Sequence, residues 1–142
     1  MIYADTSFIA KLYWKESDTS KALGILKKHK PPFIWTDFHA LELSNAISLR
    51  IFRNELSHEQ SQLIFDQIEQ DLKLNILFYQ SADWEIVLKT AKEISQKNTS
   101  FLGTRSLDIL HLACAASLKN GVFLTFDERQ LQLAKKMGFK TC

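Results

Sequence analysis

The sequence is poor in residues that lock or loosen small folds, with two cysteines, two prolines and four glycines among 142 residues. Cys114 and Cys142 belong to no CxxC pair or Cys/His cluster, which argues against a zinc site and a disulfide framework. Cys114 lies in the apolar stretch "LHLACAASL" and reads as a buried free thiol. No GxGxxG follows the first strand, so a Rossmann cofactor domain is the least favoured α/β reading. No apolar run approaches the ~20 residues that span a bilayer, and no basic stretch precedes an apolar segment of signal type. These absences predict a soluble, cytoplasmic protein with no membrane partner.

What is present suits an ordered domain. Hydrophobic residues make up 46% and charged residues 24% of the chain, which is ordinary globular usage. The length fits one domain over 1–142 with a sizeable core. The formal charge of +2 says little alone, from 18 basic against 16 acidic side chains. If four acids gather around a cation, the remaining surface favours a polyanion nearby.

Short apolar runs alternate with longer helical ones. Strands are expected at "IYA", "FIWT", "LNILFY" and "VFLTF", with a last short one at "FKT". Helices are expected over "SFIAKLYW", "KALGILKKHK", 37–52, "HEQSQLIFDQIEQDLK", "ADWEIVLKTAKEISQ", "SLDILHLACAASLK" and "DERQLQLAKKM". Ser57 and Gln60 make a capping-box pattern, "KNTSFLGT" reads as a loop, and Asn120-Gly121 reads as a helix stop. Strands alternating with helices predict a parallel sheet covered on both faces, whose sites form outside the carboxyl ends of the strands.

That rule draws attention to acids at strand-to-helix joints. Asp5 follows the first strand, Asp127 follows the fourth, and Asp108 falls in the first turn of a helix. Each has a structural reading: Asp5 and Asp127 as helix caps, Asp108 as a favourable charge at a helix N-terminus. Glu42 differs, because it is the only charged side chain between Asp37 and Arg50. Apolar residues cover most of that helix, so it is expected to be largely buried. A carboxylate there needs a partner, either a basic side chain or a metal ion. Two carboxylates ~4 Å apart repel by about 4 kcal/mol at an effective dielectric near 20, so a cluster of them needs a cation. Oxygen-only ligands favour Mg²⁺ or Mn²⁺, which suit displacement at phosphorus.

The order "IYADTSFIAKLY", then Glu42 in "HALELSNAI", then "RSLDILHLACAASLKNGVFLTFDERQL" resembles the PIN-domain ribonucleases. It most resembles the toxin subunits of VapC-type toxin–antitoxin pairs, from the first strand to the terminal "GFKT". The resemblance implies a three-layer α/β/α sandwich with a central, mainly parallel sheet of four to five strands. It also implies acids from four segments meeting in one pocket, matched here by Asp5, Glu42, Asp108 and Asp127 as catalytic and metal-binding residues. Asp127-Glu128 adjoin, and the register favours Asp127. The implied activity is RNA phosphodiester hydrolysis with Mg²⁺ or Mn²⁺. Thr6, Ser7 and Thr125 would position substrate or water, and His111 would pack or hydrogen-bond behind the acids. Arg105, three before Asp108, reads as a phosphate-positioning residue, a partner of a pocket acid or an exposed side chain. The implied partners are an RNA substrate, a cognate antitoxin and a second copy of the chain, with Tyr13-Trp14 and Ile51-Phe52 as candidate contact surface. His29, His39 and His58 carry no pattern and read as surface or packing residues. Two other functions remain: a catalytically silent PIN-type module that binds RNA or protein, and an aspartyl-phosphate phosphatase or receiver. The common phosphatase motif places a second Asp two positions after the first, where this chain has Ser7.

Overall fold

The computed structural model describes residues 1–14, 24–25, 28–29 and 31–141. Four short strands, β1 (Ile2–Ala4), β2 (Phe33–Trp35), β3 (Leu77–Tyr79) and β4 (Val122–Leu124), form one parallel sheet in the order β3-β2-β1-β4. Six helices accompany it among the described residues: α1 (Thr6–Ala10), α2 (Asp37–Phe52), α3 (His58–Lys73), α4 (Trp84–Leu102), α5 (Ser106–Ser117) and α6 (Glu128–Lys136). The helix expected over 21–30 lies largely outside the described residues.

Alternation along each strand sends successive side chains to opposite faces, and two cores result. Tyr3, Ile34 and Phe123 face Val87, Ala91 and Ile94 of α4, Leu112 of α5 and Leu133 of α6. Ala4, Phe33, Trp35 and Leu124 face Phe8 and Ile9 of α1, Leu43 and Ile47 of α2, and Ile64 and Ile68 of α3. The expected three-layer sandwich is therefore present. The fifth strand is reduced to a single parallel bridge between Val122 and Lys140.

Helix starts follow the sequence closely because caps are local chemistry. Thr36, Ser57, Asp83 and Asp127 each accept a backbone N–H of the following first turn. Helix ends follow it less well. The segment 97–104, expected as a loop, continues α4 to Leu102. Its buried positions Val87, Ala91, Ile94 and Asn98 keep helical spacing, and Asn98 donates its side-chain N–H to the Ile94 carbonyl at 2.9 Å. The polar stretch thus hides a continued packed face, which stops at Gly103 with φ 63°. α5 ends at Ser117, ahead of the stop expected at Asn120-Gly121, and Lys119 takes the left-handed conformation (φ 55°). α1 is shorter than expected, passing into turns after Ala10. β3 begins at Leu77 rather than Leu74.

The largely buried helix expected over 37–52 is corrected. α2 covers the sheet with one side only, and Leu41 and Phe52 are 67% and 82% exposed. Of the four aromatic and aliphatic residues expected at a contact surface, only Phe52 projects freely. Tyr13, Trp14 and Ile51 pack against the core beneath α1 and α2, and the Tyr13 hydroxyl donates to buried Asp71 at 2.8 Å.

Candidate active site

The chain runs from β1 outward to β2 and β3, then returns to place β4 on the other side of β1. The switch point therefore lies between β1 and β4, where a crevice opens beyond the strand ends. Asp5 leaves β1 there, and Thr125 and Asp127 leave β4.

Asp5 is 5% exposed and caps α1 by accepting the Phe8 N–H at 2.7 Å. Ser7 Oγ donates to both carboxylate oxygens, at 3.0 and 2.9 Å, and Thr125 Oγ1 donates to Oδ2 at 2.9 Å. Burial pushes the Asp5 pKa above its ordinary value, outweighing His111 and these hydrogen bonds, which pull it down. The cap and the site reading thus apply to the same carboxylate.

Glu42 projects inward from the second turn of α2. Its Oε2 accepts from Thr6 Oγ1 and from His111 Nε2, each at 2.6 Å. Burial raises its pKa, but the hydrogen bond and charge of His111, with Thr6, outweigh burial and leave the carboxyl below its ordinary value. The partner that Glu42 required is thus His111, with Thr6 beside it. Because a carboxylate only accepts, His111 Nε2 is the donor, and its Nδ1 lies 3.0 Å from the Tyr3 hydroxyl. The ring packs on Phe38 with centroids 4.5 Å apart.

Asp108 stands in the first turn of α5 and receives Arg105, with Nε 2.9 Å from Oδ2 and Nη2 3.4 Å from Oδ1. Asp127 caps α6, its Oδ1 accepting the Gln130 N–H at 2.8 Å, while its Oδ2 lies 3.8 Å from Arg105 Nη2. Thr125 accepts the Asp127 N–H at 3.0 Å while donating to Asp5, so one hydroxyl joins the first acid to the fourth.

All four acids, together with Thr6, Ser7, Arg105 and His111, line one cavity of about 700 Å³. Thr125 lies behind its wall and acts through Asp5 and Asp127. Two supporting residues carried no functional signal in the sequence. His39, read there as surface or packing, is wholly buried and holds the Ala4 carbonyl at 2.9 Å, just ahead of Asp5. Gln130, recognisable only as a cap partner of Asp127, donates its side-chain amide to the Asp108 carbonyl at 3.0 Å. It ties the third acid to the fourth.

The donor set fits a hard divalent cation, being carboxylate oxygens on a shared cavity wall. As the side chains stand, no three His, Cys, Asp or Glu among the described residues gather closely enough to hold one ion. Glu42 meets Thr6 and His111 through Oε2, whereas Arg105 covers both Asp108 oxygens, so ligation by Asp108 requires it to exchange that partner. The fit is one of donor chemistry and common cavity.

The PIN domain family model matches residues 2–136. None of the curated proteins matches the chain. Among solved structures, the chain is similar to the crystal structure of FitAcB from Neisseria gonorrhoeae, with a TM-score of 0.70 and 18% identity over 99% of this chain and 96% of that one. At that identity the likeness is one of fold.

Proposed function

The chain belongs to the PIN domain family, and from that premise we propose that it is a Mg²⁺- or Mn²⁺-dependent endoribonuclease, the toxin of a toxin–antitoxin pair. Residues 1–142 are read as a single PIN domain acting in the cytoplasm, and among the described residues no helix is long and apolar enough to cross a membrane. One observation carries the proposal: acids from four separate segments of the chain line a single cavity at the switch point of the sheet. The toxin role and its partners, a cognate antitoxin and a second copy of the chain, rest on the sequence resemblance alone.

Asp5, Glu42 and Asp108 would hold the ion, with Asp127 joining directly or through water. Bound there, it supplies a Lewis acid for a phosphate oxygen and an acidified water as nucleophile. The chain's own residues do the positioning. Ser7 and Thr125 fix the Asp5 carboxylate from two sides, and Thr6 and His111 fix that of Glu42. Arg105, 73% exposed at its side chain, stands at the mouth with a guanidinium suited to a phosphodiester.

A second reading, the catalytically silent module binding RNA or protein, draws on the Arg105 guanidinium already seated on Asp108. One experiment separates the two. Purified wild type and Asp5→Asn are incubated with a mixed RNA pool, with and without Mg²⁺ or Mn²⁺. Cleavage by wild type alone, abolished by chelation, is expected. Cleavage that survives both the substitution and chelation sinks the metal-nuclease reading, and RNA binding without cleavage selects the silent module.

A further inference from the structure

Arg105 stands apart among the residues that hold the four acids. Asp5 is held by hydroxyls and a backbone N–H, and Glu42 by Thr6 and a buried histidine. Asp108 is held by a flexible, permanently charged side chain from the solvent side. The Arg105 guanidinium covers both Asp108 oxygens and reaches toward the free oxygen of Asp127 at 3.8 Å. It spans the third and fourth acids at the cavity mouth. The exposures bear on how firmly it sits: the Arg105 side chain is 73% exposed, against 15% for Asp108 and 33% for Asp127. An exposed ion pair of this kind is weak and easily exchanged, whereas the carboxylates beneath stay in place.

From this geometry we infer that Arg105 is a resident counter-cation that a divalent ion must displace from Asp108 and Asp127, so that it sets the metal concentration at which the site loads. The inference rests on the metal-nuclease reading of the same cavity. Without an ion, two acids on one wall repel, and the guanidinium relieves that repulsion. A divalent ion brings twice the charge at shorter range and wins the carboxylates, and Arg105 swings clear while remaining tethered one residue before α5. Its five N–H donors are then free at the mouth, where a phosphate would arrive. Ion binding and release of Arg105 are thus one linked equilibrium.

The test is Mn²⁺ binding to the metal-free protein, followed by calorimetry and by loss of the free Mn²⁺ spin-resonance signal, for wild type, Arg105→Gln and Arg105→Lys. The Gln variant is expected to bind Mn²⁺ about fivefold more tightly than wild type, the equivalent of one exposed ion pair. The Lys variant, charged but without the two-pronged fork, is expected to fall between them. Circular dichroism checks that all three are folded, as expected for a side chain that supplies no cap hydrogen bond to α5. Equal or weaker Mn²⁺ binding by Arg105→Gln overturns the inference while leaving the metal reading intact. Absence of Mn²⁺ binding in all three proteins overturns both.

Discussion

The Thr125 hydroxyl donates to Asp5 Oδ2 at 2.9 Å, joining the end of β4 to the end of β1. Thr125 Oγ1 in turn accepts the Asp127 N–H at 3.0 Å, and Thr125 is 3% exposed. Replacing it by valine keeps the shape but leaves a buried N–H and a buried carboxylate each short of a partner. Thr125→Val is expected to cost about 1–3 kcal/mol of stability by urea denaturation. It is also expected to lower RNA cleavage about tenfold, through Asp5 moving. Thr125→Ser, which keeps the hydroxyl, should restore most of both. Wild-type stability and cleavage in Thr125→Val would show that the bond positions nothing.

Asp5 is buried as an acid whose hydrogen bonds come from neutral groups, and burial holds its pKa up. In the native state at neutral pH its charge is therefore a cost, which an amide removes while still capping α1. In chelator, Asp5→Asn is expected to melt about 2–4 °C above wild type. Adding Mn²⁺ should raise the melting point of wild type and leave the variant unmoved. A variant less stable than wild type in chelator would refute this account of the carboxylate.

His39 gives the molecule a defined acid sensitivity. Its Nδ1 accepts the Thr36 N–H at 3.1 Å and its Nε2 donates to the Ala4 carbonyl at 2.9 Å, an arrangement open only to the neutral ring. Burial, helped by His111, lowers its pKa from 6.5 to about 3. The unfolded chain thus takes up this proton near pH 6.5, while the native state resists it until about pH 3. Between those values the unfolded state binds more protons, so stability is lost as the pH falls and is unaffected above the window. The slope approaches about 1.4 kcal/mol per pH unit from this one group. Denaturation curves between pH 7 and 4 should fall more steeply for wild type than for His39→Gln. A ring that titrates near 6.5 by NMR would contradict the burial argument.

Glu42 and His111 separate fold from chemistry. Glu42→Gln keeps an oxygen that can accept from Thr6 and His111, and should fold normally while losing about 10²-fold or more in cleavage. His111→Ala removes the partner of both Glu42 and Tyr3, and should cost about 2–4 kcal/mol as well as activity. Equal stability of the two variants would deny His111 its structural share.

The sequence by itself determined the order of elements, the start of nearly every helix and the three positions, Asp5, Asp108 and Asp127, where acids meet strand or helix ends. Caps such as Ser57 with Gln60 and Asp127 with Gln130 are set within one turn of chain, so local chemistry suffices to read them. Glu42 stood out because an acid amid apolar neighbours requires a partner. The end of α4 was not legible, since the polar run 97–104 conceals a packed face whose partners lie elsewhere in the chain. Exposure around α2 was also invisible, because periodicity cannot tell how many sides a helix has covered. Only the tertiary structure decided the distant partners that Asp5 and Glu42 take. His111 comes 69 residues after Glu42 and Thr125 comes 120 after Asp5, and such contacts arise only when β4 returns beside β1. Local sequence sets capping and periodicity; the pairing of Asp5 and Glu42 with distant hydroxyls and His111 is set by chain topology.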